Sequence, residues 1–307
     1  MKIYHYTSLL LLVGLLAAKP PQKNEPKEKK IKLDQPISTN NSLLWQISGN
    51  GLNTPSYLFG TIHIIASEDY FLGKNVQKKV EQSDALVLEM DVDMNNINIA
   101  ALTSVSILDS GRTIQHYLSD SDYQLIQLFM EDTIGINKFT FENFYARLKP
   151  FFVEQLIYLK QIGDEKELYE INLKKIAENK NKKTIGLETF EEQLQFLDAI
   201  PLENQFSSIV NTIKNYSTRT KEFNDLVQAY KNQDLMALNK AIEAEQDTSI
   251  KENLLVKRNK NWIPKIEQLI QQKPCFIAVG AGHLAGENGI LELLRKQGFT
   301  VEPISIN

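Results

Sequence analysis

Short apolar runs bounded by turn-forming residues mark the first third of this chain. Residues 43–48 and 57–62 are two β-type runs separated by the turn-rich stretch 49–55, and this spacing predicts a β-hairpin. A continuous apolar run at 85–89 predicts a buried strand, and helical spacing from about residue 74 to residue 82 precedes it. The order of elements here is therefore strand, helix, strand.

The middle of the chain follows a different pattern. From about residue 113 to residue 264 the apolar positions recur with helical spacing, as they do in residues 121–130 and 167–177. One apolar run, residues 183–188, interrupts this pattern and predicts a short strand. We therefore interpret most of this region as a helical insertion.

The end of the chain repeats the unit predicted at its start. The apolar run 275–280 predicts a strand, a glycine-rich turn and a helix at 289–297 follow it, and residues 298–302 predict the last strand. Gly298 stands where a helix C-cap belongs. We expect an α/β fold with a mainly parallel or mixed central sheet built from both ends of the chain, and a large helical insertion at about 113–264.

The N-terminal residues predict export. Lys2 precedes an apolar run of about ten residues that ends in small residues, which is typical of a signal peptide at residues 1–18. An uncleaved anchor near the membrane or a buried first helix are the alternatives. Residues 19–42 are rich in Lys and Pro and predict a flexible tether, so the folded part is expected at 43–307. The expected location is the periplasm, the envelope or the extracellular space.

Composition and charge exclude several classes of protein. The chain has 307 residues, 42% of them hydrophobic, which is typical of a globular protein, and its single cysteine, Cys275, excludes an intrachain disulfide. The net charge is −4, and without Lys2 and the six lysines and two glutamates of residues 19–32 the rest is near −9. An acidic body of this kind predicts no nucleic-acid partner. The sequence specifies no oligomeric state.

Two histidines occur in the same sequence frame at opposite ends of the chain. His63 and His283 each follow a predicted strand, and each has a glycine three positions earlier, Gly60 and Gly280. Ligands gather at the carboxyl ends of parallel strands, and glycine lets the backbone approach a ligand closely. A satisfied structural histidine is the alternative for each residue alone. His116 lacks the preceding glycine, and we expect it to be functionally silent.

Two glutamates end predicted strands in an equivalent way. Glu89 and Glu188 each follow an apolar run, where a carboxylate is unfavourable unless it faces a site or a partner. A carboxylate that stabilises the next helix is the alternative. With His63 and His283 they predict a site for a divalent transition metal such as Mn, Co, Zn or Fe.

Five motifs in this order resemble the TraB/GumN family, which includes PrgY and the animal TIKI proteins. They lie at residues 58–63, 86–89, 186–193, 258–262 and 279–286. The resemblance implies a fold shared with erythromycin-esterase and ChaN-like proteins. It also implies metal-dependent proteolysis by two Gly-x-x-His motifs and a glutamate, which by position are His63, His283 and Glu89.

These observations lead to two functional hypotheses. The first is a metal-dependent hydrolase, a metallopeptidase acting on an envelope or extracellular peptide or protein, in which the ion activates water and a carboxylate acts as general base. Arg258 or Asn259 would polarise the scissile carbonyl or hold a substrate carboxylate, and a structural ion pair is the alternative for Arg258. The second hypothesis is a non-catalytic envelope protein that binds a peptide or haem.

Overall fold

The structure is a computed structural model that describes residues 41–91, 103, 105–243 and 251–307. The predicted signal peptide and the predicted tether up to residue 40 lie outside the described residues. The described residues form two compact units: the first comprises those within 1–91, 165–193 and 224–307, and the second those within 92–164 and 194–223. The region expected as a helical insertion contributes to both units.

Eight strands are present in the described residues, and all of them belong to the first unit. In chain order they are β1 Leu44–Gly49, β2 Ser56–Thr61, β3 Ile64–Ala66, β4 Ala85–Leu88, β5 Lys166–Leu168, β6 Lys183–Gly186, β7 Cys275–Gly280 and β8 Phe299–Ile304. Six of them form a mixed sheet in the order β6-β4-β7-β2-β1-β8, and β3 pairs with β5 in a separate antiparallel sheet.

The four strands β6, β4, β7 and β2 run parallel. At their carboxyl ends Thr61 pairs with Gly280, and Leu88 pairs with both Ala278 and Gly186, so the four ends meet at one edge of the sheet. The predicted hairpin is also present, because β1 pairs with β2 in antiparallel fashion. The expectation of an α/β fold with a mixed sheet built from both ends of the chain is confirmed.

The described residues contain eleven α-helices, which are divided between the two units. They are α1 Lys74–Gln82, α2 Asp120–Phe129, α3 Lys138–Asn143, α4 Pro150–Ile162, α5 Tyr169–Asn179, α6 Phe190–Asp198, α7 Leu202–Lys214, α8 Tyr216–Lys231, α9 Leu235–Glu243, α10 Lys257–Gln272 and α11 Ile290–Lys296. A π-helical segment, Glu252–Val256, leads into α10. None of the helices in this described part is both long and apolar enough to cross a membrane.

One predicted helix begins later than the periodicity indicated. We expected a helix over residues 167–177, but Glu167 and Leu168 lie in β5 and α5 begins at Tyr169. Leu168 pairs with Ile64 of β3. Apolar spacing over so short a stretch does not distinguish a strand from a helix, and this long-range pairing decides the conformation.

Helix α10 shows why polar side chains reach the core of the first unit. Its buried positions recur at intervals of three and four residues, which places them on one helix face. Trp262, Ile266 and Ile270 supply the apolar part of this face. Arg258 and Asn259 occupy the same face one turn earlier and are buried as well. The second unit has its own apolar core, in which Ile126, Phe141, Val153, Ile157 and Phe206 pack together.

Candidate active site

Four side chains that were predicted as site residues lie just beyond the carboxyl ends of the parallel strands. His63 follows β2, Glu89 follows β4, Glu188 follows β6, and His283 ends a 3-10 turn after β7. The two histidines and Glu89 are at most 1% exposed, and Glu188 is 6% exposed. The structure therefore brings these residues together in the interior of the first unit.

Gly60 allows the two histidine motifs to approach each other. A Cβ atom at this position would lie 2.7 Å from Leu284 Cδ1 and 3.1 Å from Ala281 Cα, both in the segment that carries His283. The first of these distances is shorter than real Cβ contacts, so a larger residue would require the Leu284 side chain or the Ala281 backbone to shift. The backbone oxygen of Gly60 also accepts a hydrogen bond from the Tyr230 hydroxyl at 3.1 Å.

His63 is held by a carboxylate that the sequence did not indicate. Its backbone has φ of +58°, a left-handed conformation, and its carbonyl oxygen accepts the Tyr169 N–H at 2.8 Å. The Nδ1 atom donates to Glu170 Oε1 at 2.7 Å, and the Thr61 hydroxyl donates to the same oxygen at 2.7 Å. His63 Nε2 has no hydrogen-bond partner in the described structure and faces Glu89 Oε1 at 3.6 Å.

His283 is oriented by an amide instead. Asn259 donates its Nδ2 hydrogens to the carbonyl oxygens of His283 at 3.3 Å and Asn288 at 2.8 Å. Its Oδ1 atom therefore faces His283 Nδ1, at 2.6 Å, and accepts its hydrogen. This assignment leaves a lone pair on Nε2, which lies 3.7 Å from Glu89 Oε1 and 3.3 Å from Arg258 Nη1.

Glu89 is the point on which the two imidazoles converge. Its Oε1 atom accepts the Gly280 N–H at 2.8 Å and lies within 3.7 Å of Nε2 of both His63 and His283. Its Oε2 atom accepts from Arg258 Nη2 at 2.5 Å. The backbone of β7 and the guanidinium thus fix the carboxylate between the two rings.

Arg258 binds two carboxylates at once. Its Nη2 atom donates to Glu188 Oε1 at 2.7 Å as well as to Glu89, and its side chain is completely buried. Glu188 Oε2 accepts from Trp262 Nε1 at 3.0 Å, and Glu188 Oε1 accepts from Gln193 Nε2 at 3.0 Å. Burial raises the pKa of Glu188, and Arg258 offsets only part of this rise. Both oxygens of Glu188 are therefore engaged, and its role as a metal ligand stays a prediction.

The two histidines have opposite protonation preferences. Burial lowers the pKa of His63, but Glu170 and Glu89 outweigh it and raise the pKa to about 9. Burial lowers the pKa of His283 well below its ordinary value, and the positive charges of Arg258 and His63 lower it further. At neutral pH His63 is thus protonated while His283 is neutral. Burial lowers the pKa of Arg258 as well, but the two carboxylates outweigh it, so the guanidinium stays charged.

Comparison with known proteins assigns the chain to a family. The sequence profile of the TraB/PrgY/gumN family matches residues 43–303. The chain belongs to this family. Its relatives include the protein named metalloprotease TIKI1 from Xenopus tropicalis, which is 26% identical over 94% of this chain and 66% of the relative. Human TIKI1 is 25% identical over 85% of this chain and 62% of the relative. This TraB/PrgY/gumN chain thus spans slightly less than two thirds of the length of these relatives.

A bacterial relative of this TraB/PrgY/gumN chain has no assigned activity. The uncharacterized protein YbaP of Escherichia coli strain K12 is 23% identical over 79% of this chain and 89% of the relative. No solved structure matches the chain, so the expected fold relationship with erythromycin-esterase and ChaN-like proteins stays a prediction.

All six residues that we predicted for a TraB/PrgY/gumN site lie in one cluster, although their roles stay predictions. The structure adds Thr61, which lies within the motif at 58–63, and Glu170, which no local pattern marked because it stands in the first turn of an ordinary amphipathic helix. His116 lies elsewhere: it is exposed in the second unit, where its Nδ1 atom accepts the Thr113 N–H at 3.1 Å. Arg258 binds glutamates rather than facing an open surface.

The cluster combines imidazole and carboxylate groups, which are donor types that bind divalent transition metals. Within the described residues, no group of three or more His, Cys, Asp or Glu side chains has the geometry of a preformed metal site. Metal bonds of about 2.0–2.2 Å place two tetrahedral ligand atoms about 3.3–3.6 Å apart. The separations of 3.6 and 3.7 Å between Glu89 Oε1 and the two Nε2 atoms are close to this range. The Nε2 atom of buried His63 has no hydrogen-bond partner in the described structure, so this atom is available as a donor.

Proposed function

We propose that this chain is a metal-dependent hydrolase of the metallopeptidase type. The observation that carries the proposal is the convergence of His63 Nε2 and His283 Nε2 on Glu89 Oε1, with each ring anchored through its Nδ1 atom. Metal-binding histidines commonly donate their second ring nitrogen to a carboxylate or a carbonyl oxygen in this way. The names of the TIKI relatives support the same chemistry.

In this proposal His63, His283 and Glu89 hold a divalent transition ion. A bound ion of this kind supplies Lewis acidity that activates water at neutral pH. Arg258 holds the carboxylate of Glu89 in place through its hydrogen bond to Oε2. Glu188 binds the same guanidinium through Oε1, and its Oε2 atom accepts a hydrogen bond from Trp262 Nε1. The metal must displace a proton from His63, so its affinity should rise with pH.

Elemental analysis tests the metal directly. Protein purified without chelators should contain about one equivalent of a transition metal, and His63→Ala or His283→Ala should lose it. His116→Ala is the matched control, because this exposed histidine lies in the second unit. Metal retained equally in all four proteins would overturn the site, and a Soret band in the purified protein would instead support the haem-binding alternative.

The role of Glu89 and the substrate class can be tested together. Incubation with a library of peptides, followed by mass spectrometry, should reveal metal-dependent cleavage that His283→Ala abolishes. Glu89→Gln should lose both metal and cleavage if Glu89 is a ligand. Metal retention with loss of cleavage would contradict ligation and assign Glu89 to proton transfer. We propose a peptide or protein of the envelope or the extracellular space as the substrate.

We further propose that the protein is exported. The support is the apolar run in residues 1–18 and the charged, Pro-containing stretch that follows it. Cell fractionation should find the protein outside the cytoplasm, and its intact mass should correspond to a chain without the first 18 residues. A full-length cytoplasmic protein would contradict export, whereas a full-length protein in the membrane fraction would identify the uncleaved anchor.

A further inference from the structure

The carboxylate of Glu170 is buried, and a stabilising role alone does not explain this burial. Glu170 is 2% exposed, and its Oε2 atom has no hydrogen-bond partner in the described structure. A carboxylate at a helix N-terminus already gains a favourable dipole interaction when it is exposed, so this interaction does not require complete burial. Burying a carboxyl oxygen without a partner is costly, so the other oxygen must make contacts that offset this cost.

We propose that Glu170 is the positioning residue that fixes the ring of His63 with Nε2 directed at Glu89, and thereby tunes the ring as a metal donor. This inference rests on the proposed function and deepens it. Glu170 Oε1 accepts the His63 Nδ1 hydrogen at 2.7 Å and also accepts the hydrogen of the Thr61 hydroxyl at 2.7 Å. With Nδ1 committed to the carboxylate, only Nε2 can face the space beside Glu89.

The backbone holds the same pair in register. The Tyr169 N–H donates to the carbonyl oxygen of His63 at 2.8 Å, so the first turn of α5 contacts His63 through both its main chain and its side chain. Ile64 and Leu168, which adjoin His63 and Tyr169 in the chain, also pair with each other. His63 makes these contacts with a left-handed backbone conformation, with φ of +58°.

The two histidines of the site differ in the charge of their partners. His283 Nδ1 donates to the neutral amide of Asn259, whereas His63 Nδ1 donates to the carboxylate of Glu170. A carboxylate partner increases the basicity of an imidazole more than an amide does, and such partners typically change metal affinity 10–100-fold. Glu170 therefore makes His63 the stronger electron donor of the pair.

The experiment compares the wild-type protein with the variants Glu170→Gln and Glu178→Gln. Glu178 lies on the same helix but is exposed, so it is a matched control for the loss of one charge from α5. Zn²⁺ affinity is measured by competition with a chromogenic chelator. We expect Glu170→Gln to bind Zn²⁺ about 10–100-fold more weakly than the wild type, and Glu178→Gln to bind it equally well.

Nuclear magnetic resonance of metal-free protein with ¹⁵N-labelled histidine supplies a readout that does not need the metal. The Nδ1–H of His63 should give a slowly exchanging proton resonance far downfield, typical of a charge-assisted hydrogen bond. It should shift upfield or disappear in Glu170→Gln and remain in Glu178→Gln. A lower melting temperature of Glu170→Gln, with unchanged Zn²⁺ affinity and resonance, would show a structural role only and overturn the proposal.

Two further outcomes are separable. If the wild-type protein shows the Nδ1–H resonance but binds no Zn²⁺, the proposed function is overturned. Whether Glu170 positions the His63 ring is then decided only by whether the resonance is lost in Glu170→Gln. Should Glu170→Gln fail to fold, Glu170→Asp keeps the charge but withdraws the oxygen by one methylene group. It should weaken Zn²⁺ binding by about tenfold, and wild-type affinity would overturn the proposal.

Discussion

Replacing Arg258 with methionine should destabilise the protein severely at neutral pH. Arg258 is completely buried and is hydrogen bonded to the carboxylates of Glu89 and Glu188. Breaking one buried ion pair by removing a partner costs about 3–5 kcal/mol. Here one cation serves two carboxylates, so we expect a loss of about 5 kcal/mol, which is comparable to the whole stability of many domains.

The pH dependence of this loss follows from Glu188. Burial already raises the pKa of Glu188, and Arg258 is the largest influence that lowers it. Without Arg258 its pKa must rise further, so the folded state binds more protons than the unfolded chain at pH values above the ordinary glutamate pKa. Stability then falls as pH rises through this window. The difference from the wild type should be larger at pH 8 than at pH 5.

Urea unfolding followed by circular dichroism at these two pH values measures the effect. Arg112→Met is the matched control, because Arg112 is exposed and its contact is a hydrogen bond to the Tyr117 hydroxyl, so the urea midpoint should hardly change. Adding Glu188→Gln to Arg258→Met removes one unpaired charge and should recover part of the loss. Equal stability of Arg258→Met and the wild type at pH 8 would refute the reasoning.

Three further predictions concern single residues. Because the pKa of His63 is raised to about 9, its contribution is fully present below pH 6.5 and is lost as pH rises to 9. The metal-free protein should lose on the order of 3 kcal/mol over this range in urea unfolding, and the same decline in His63→Gln would contradict this origin. Gly60→Ala, which forces a Cβ against Leu284, should cost about 1–3 kcal/mol, and an unchanged urea midpoint would refute it. His116→Ala should leave the metal content unchanged. It should lower the free energy of unfolding by about 0.5–1 kcal/mol, because the hydrogen bond to Thr113 is lost. Loss of metal from His116→Ala would mean that the metal site has been misplaced.

Local patterns were sufficient to predict the main strands of the sheet. The run at 275–280 coincides with β7, and the predicted hairpin and α1 are present nearly at the expected bounds. These elements can be predicted from local sequence because apolar runs and turn residues act over a few neighbouring positions. The short strands β3 and β5 have only three residues each, and their pairing joins segments about a hundred positions apart. No local pattern specifies such a pair.

The site shows the same division. Glycine three residues before His63 and His283 marked both histidines, and the parallel strand ends place them together. The sequence could not show that Arg258 would bridge two glutamates, because that depends on the rotation of α10 about its axis. Glu170 was missed for a similar reason. Its contact with His63 exists only after α5 packs against the strand ends.

The central position of β7 in the sheet has a consequence for synthesis of the chain. This strand separates β4 from β2, yet it is made after both, with Thr61 and Cys275 more than two hundred positions apart. At translation rates of about 5–20 residues per second, the early strands wait roughly 10–40 s for the strand that joins them. His283 follows later still. An unfinished chain therefore carries His63 without His283, and the cluster can assemble only when synthesis is nearly complete.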